Sequence, residues 1–185
     1  MLRDPGDRAP APEPLRAVQA FVNTVDSEHG IEELDTPEAL RELLVRLGLL
    51  AAGEPVTDDD HARALDVREA LRALLLANNG GSVGPESLET LSAAGRSGGL
   101  AVTFTGTGAA ELAATAPGAD GALGGLVAIA FTAIVGGSWP RLKACRRDVC
   151  HWVFYDRSRN GSSTWCAMSV CGNRTKTRAY RTRRR

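Results

Sequence analysis

The sequence predicts an α+β protein: a mostly helical N-terminal domain with one β-hairpin, then a small treble-clef-like zinc finger made of a β-hairpin and a basic C-terminal helix. Three observations point there. Apolar residues recur at helical spacing in capped segments up to about residue 94, the period changes after Leu100, and all four cysteines lie between residues 145 and 171. The expected divisions are a disordered lead-in over 1–13, a helical domain over 14–137 and the finger over 138–185.

The first helix follows Pro14, with Leu15, Val18, Phe21, Val22 and Val25 on one face and Gly30 ending the pattern. Thr36-Pro37-Glu38 announces the second: an N-cap, a proline at the first helical position and an acid in the first turn. Leu40, Leu43, Leu44 and Leu47 are its apolar side, and Gly48 stops it. Thr57 opens a third helix to about Ala77, with Leu65, Leu71, Leu74 and Leu75 expected in the core. Asp58, Asp59 and Asp60 sit in its first turn, where acids oppose the helix macrodipole. A short fourth helix runs from Pro85 to about Ala94.

Leu100–Thr105 and Ala109–Thr115, around Gly106-Thr107-Gly108, read as the hairpin. Gly121 to Val135 returns to helix before Gly136-Gly137. Its apolar stretch, about Ala122 to Val135, is shorter than the ~20 residues that span a bilayer, so a buried helix is expected, or an oligomer interface. The first residues contain no apolar signal core. A cytoplasmic location and no membrane partner are therefore the expectation. In that compartment cysteines serve as metal ligands more often than as disulfides.

A formal net charge of zero conceals two opposite parts. Residues 1–140 hold 9 basic and 20 acidic residues, a net −11, whereas residues 141–185 hold 13 basic and 2 acidic ones, a net +11. A basic segment of that density calls for an acidic partner, a nucleic acid first among them.

Cys145, Cys150, Cys166 and Cys171 are spaced C-x4-C-x15-C-x4-C. Two short-range pairs with a folded insert suit the tetrahedral shell of one structural zinc ion; two disulfides or four buried thiols are the alternative. A shell closed by four thiolates leaves no position for a reactive water, and His151 is then a bystander or an outer-shell donor. No phosphate-binding glycine motif or nucleophile elbow appears, so no enzymatic activity is expected.

Between the pairs, His151–Tyr155 reads as a strand, Asn160-Gly161 as a turn and Ser162–Trp165 as the return. Trp152, Phe154 and Trp165 are either cover for the metal site or stacking platforms for bases, and the small core demands the former. After Cys171, a helical reading places Arg174, Arg178, Arg181 and Arg185 on one face. Asn173, Arg174, Lys176, Arg178, Arg181, Arg183 and Arg184 are the candidate nucleic-acid contacts.

Trp139–Cys145, Phe154–Asn160, Trp165-Cys166 and Cys171-Gly172-Asn173-Arg174 resemble the bacterial CGNR-type zinc finger. Phe21–Val25 with Glu33–Leu40 resembles its usual partner, the ABATE domain. The resemblance implies a stress-induced transcription regulator whose finger binds DNA through its arginines. RNA binding, or docking to an acidic protein, is the alternative.

Overall fold

The computed structural model describes residues 10–173. Five α-helices and three two-stranded antiparallel sheets make up its regular structure.

Helix α1 (Leu15–Val22) is shorter than its apolar periodicity predicts. Asn23 and Thr24 break it, the Thr24 hydroxyl donating back to the Phe21 carbonyl at 2.9 Å. Val25, expected on the helix, instead starts β1 (Val25–Asp26), which pairs with β2 (Ile31–Glu32) around a left-handed Gly30. This small hairpin adds to the one expected. Residues 10–13 precede α1, with Ala11 buried and its amide donating to the Gln19 side chain at 2.7 Å.

Helix α2 (Pro37–Arg46) has the expected cap, the Thr36 hydroxyl accepting from the Ala39 amide. Helix α3 (Asp58–Ala77) opens with a full capping box between Thr57 and Asp60, so Asp60 serves the helix end. Leu71 and Leu75 are buried as expected, whereas Leu65 and Leu74 are only partly so. The helix also buries Arg68 and Arg72, which are 5% and 6% exposed. Arg68 holds both Glu32 carboxylate oxygens at 2.7 Å, a bidentate pair that ties the β1–β2 hairpin to α3.

Helix α4 (Pro85–Ser97) runs three residues further than expected, then leads into β3 (Leu100–Phe104) and β4 (Ala110–Ala114). Helix α5 (Gly118–Val135) is, by length and composition alone, apolar and long enough to cross a membrane. Its packing assigns another role: it runs against α1, α3, α4 and β4, with Leu123 and Leu126 buried at the centre of the protein. Small residues allow that closeness. A Cβ on Gly98, at the end of α4, would lie 2.6 Å from the Gly124 Cα of α5. At its far end α5 leaves Phe131, Ile134 and Val135 exposed.

The last sheet pairs β5 (Leu142–Ala144) with β6 (Val153–Tyr155). This corrects the expected hairpin, which placed both strands between the cysteine pairs. The partner of β6 lies before Cys145, so the first pair occupies the connection between the strands. Leu142, Ala144 and Val153 join Trp139 and the helices in one continuous hydrophobic core.

Candidate metal centre and its supporting shell

The first cysteine pair sits at the end of the β5–β6 ladder. Cys145 donates its amide to the Trp152 carbonyl at 2.9 Å, and Cys150 to the Arg147 carbonyl at 2.8 Å, which closes a tight turn. His151 leaves it with a φ of 48°, a left-handed conformation uncommon for a side-chain-bearing residue. The Arg72 guanidinium donates to its carbonyl at 3.2 Å and to the Val22 carbonyl at 2.6 Å.

The second pair spans a wide helical turn, Met168–Gly172, in which the Cys171 amide bonds the Ala167 carbonyl at 2.9 Å. Gly172 is close to its neighbours: a Cβ there would lie 3.2 Å from the Trp165 ring and would collide with the flexible Met168 side chain.

These two turns bring Cys145, Cys150, Cys166 and Cys171 together, all buried, with every Sγ within 4.8 Å of the others. Cys150 and Cys166 are separated by 3.7 Å, and Cys166 and Cys171 by 3.6 Å. A tetrahedral zinc with Zn–S bonds of about 2.3 Å places its sulfurs about 3.8 Å apart, whereas a disulfide requires about 2.05 Å. The cluster therefore has the dimensions of one four-thiolate zinc site, and all four cysteines are free thiols. His29 and His61 take no part. His29 pairs with Asp26, and His61 bonds the Leu34 carbonyl.

The thiols compete for protons. Hydrogen bonds from Cys150, then Cys166, lower Cys145 to about 4 against the cost of burial. The same contacts raise Cys150 and Cys166, since each must keep a proton beside a thiolate, and burial adds to the effect. A divalent cation removes that conflict by neutralising several thiolates at once. Zinc with four thiolates carries a net −2. Arg147 stands beside it, its guanidinium 3.9 Å from Cys171 Sγ and 2.8 Å from the Glu28 carboxylate.

Trp152 and Phe154 are buried among the cysteines, and partly buried Trp165 packs on the same cluster. The aromatic residues thus cover the metal site, as its small core demands.

Beyond the cysteines, a buried ion pair holds the loop after β6. Lys143 and Asp156 are 5% and 1% exposed and meet at 2.9 Å. Asp156 also accepts the Ser158 and Ser163 amides. Burial alone would raise its pKa, but hydrogen bonds from Ser158, Lys143 and Ser163 outweigh that and hold it below the ordinary carboxylate range. Sequence reasoning missed this pair. A lysine between two apolar strand residues reads as solvent-facing, and its partner lies 13 positions away.

Side-chain amides fasten the finger to the helical part. Asn78 donates to the Trp139 and Leu142 carbonyls, and Asn79 to those of Ala144 and Thr164.

Residues 15–138 match the model of the ABATE family, described as a putative stress-induced transcription regulator, and residues 141–184 match the CGNR zinc finger. The chain belongs to the ABATE family. No curated protein matches it. The order of ABATE segment and CGNR finger is the one the motifs imply, and Cys171-Gly172-Asn173-Arg174 supplies the letters of the finger's name. Within the CGNR motif, Cys171 is a candidate ligand, Gly172 packs against Trp165, and Asn173 donates to the Ser169 carbonyl at 3.4 Å. The other expected nucleic-acid contacts, Arg174, Lys176, Arg178, Arg181, Arg183 and Arg184, lie outside the described residues.

Proposed function

We propose that this ABATE protein is a cytoplasmic DNA-binding transcription regulator, with no catalytic activity of its own, whose CGNR finger holds one structural zinc ion and grips DNA with its arginines. The charge of the finger carries the reading. Thirteen basic residues stand against two acidic ones from residue 141 onwards: Asp156 is buried against Lys143, and exposed Asp148 directly follows Arg146 and Arg147 in the sequence. The remaining guanidinium groups suit phosphate oxygens, which they bind in bidentate fashion.

Cys145, Cys150, Cys166 and Cys171 would hold the zinc, which supplies cross-linking and no reactive water. Their four sulfurs, all within 4.8 Å of one another, would fill all four ligand positions. Asn173, Arg174, Lys176, Arg178 and Arg181, with Arg183 and Arg184, supply phosphate contacts and base-edge donors.

Binding of the full chain to duplex DNA across a salt series tests the reading. Arg178→Ala with Arg181→Ala should reduce the slope of log K against log salt by roughly two, at about 0.9 per lost contact. Unchanged affinity and slope would remove those two arginines from the interface. Stronger binding to RNA or to an acidic polypeptide than to duplex DNA would replace the reading with one of those partners.

A further inference from the structure

The residues after β6 form a second basic element, separate from the C-terminal tail. Arg157 and Arg159 are exposed and make no ion pair among the described residues. No acidic residue follows Asp156 anywhere in the chain. The loop that carries the two arginines is held from beneath. Arg141 donates to the Asp156 and Ser158 carbonyls at 3.0 and 2.6 Å, and Lys143 donates to the Gly161 and Ser163 carbonyls. The Gly161 amide closes the loop onto Ser158. An arginine on a loop already fixed by three kinds of contact loses less entropy on binding than one on a free chain.

Beside this loop runs an open cleft of about 620 Å³. Arg157, Ser158, Ser162, Ser163, Trp165 and Ser169 line it. The Ser162 and Ser169 hydroxyls make no hydrogen bond among the described residues, and both serines are exposed. Asp156 also lines the cleft, but its carboxylate is buried and paired with Lys143. The exposed groups are guanidinium and free hydroxyl donors, which match the oxygens of a phosphodiester chain. The wall containing Met168 and Ser169 belongs to the turn from which the basic tail continues.

We infer that this cleft seats the sugar-phosphate backbone of one strand of duplex DNA, with Arg157, Ser162 and Ser169 in the cleft contacting phosphate oxygens and Arg159, on the same loop, contacting a neighbouring phosphate. The assignment rests on the DNA-binding reading and adds a rigid contact element to the tail. Arg157 donates one guanidinium N–H to the Pro10 carbonyl at 3.0 Å and keeps its other donors for the ligand.

The test uses the full-length zinc-loaded chain and a mixed-sequence DNA duplex, from about 50 to about 300 mM salt. Two double variants are compared with the parent: Arg157→Ala with Arg159→Ala, and Ser162→Asp with Ser169→Asp. Both should weaken binding at least about tenfold with unchanged zinc content, and the arginine variant should lower the salt slope by about two. If the parent binds DNA while both variants retain its affinity and slope, the cleft is not the contact and the DNA reading stands. A loss confined to the arginine variant would also overturn the cleft, since it would trace to the Pro10 contact or to the loop alone. A parent chain that binds no DNA overturns both.

Discussion

The carboxamide of Asn23 exchanges two hydrogen bonds with the backbone of Val153, 130 residues away: Asn23 Nδ2 donates to the Val153 carbonyl and the Val153 amide donates to Asn23 Oδ1, each at 2.8 Å. One side chain at the end of α1 thus acts as the neighbouring strand that the outer edge of β6 lacks. Gln19 adds a third bond to the same carbonyl at 3.2 Å.

Replacing Asn23 with alanine leaves the buried Val153 amide without that partner. The Val153 carbonyl keeps Gln19, so one buried group is orphaned, and at about 1–3 kcal/mol per such group the loss should be about 1–3 kcal/mol. Urea denaturation of the zinc-loaded protein measures it. A change below about 0.5 kcal/mol, the scale of an ordinary surface substitution, would show that the contact is dispensable.

Arg147 bridges Glu28 in the turn of the β1–β2 hairpin and Cys171 at the metal centre. Its removal leaves the net charge of the thiolate shell less balanced and should weaken zinc binding about tenfold, the lower end of outer-shell effects. Competition with a chromophoric chelator reads this directly. Glu28→Gln should have a smaller effect, because it frees the guanidinium instead of deleting it.

Asp156 makes stability depend on pH in a defined direction. Its folded pKa is depressed, so its contribution is complete above the unfolded value of about 3.9 and is lost as pH falls through the lower folded value. Asp156→Asn should remove that acid-limb dependence. It should also destabilise the protein by about 3–5 kcal/mol near neutrality, because Lys143 then stays buried without its counter-charge. A series of urea midpoints between about pH 3 and pH 7 tests both parts. Equal midpoints for parent and variant at pH 7 would contradict the second.

Gly98→Ala should cost about 1–3 kcal/mol, the range for overpacking, because the new methyl meets backbone on α5 that cannot rotate away. Thermal unfolding reports it. The turn glycine Gly53, which has open space around it, is the control: Gly53→Ala adds only the strain of its positive φ.

The helix starts and the metal ligands were legible because their causes are local. Thr36-Pro37 and Thr57 with Asp60 are caps within four residues, and the cysteine spacing states its own chemistry. What was not legible depends on partners distant in sequence. Arg68 and Arg72 look like the polar side of an amphipathic helix until Glu32, the Val22 carbonyl and the His151 carbonyl come within reach. The β5–β6 pairing was missed for a related reason. Leu142-Lys143-Ala144 is too short to show alternation, and the burial of Lys143 depends on Asp156.

Trp139, Leu142, Ala144 and Val153 sit in the same core as the helices, so the finger's inner surface is also a wall of the N-terminal domain. Cutting the chain near residue 138 would expose that wall on both fragments. The finger cannot be grafted elsewhere as an independent module unless the host also provides the equivalents of Asn23, Arg72, Asn78 and Asn79. Zinc loss would therefore be felt as far away as α1, giving the two matched segments a common fate.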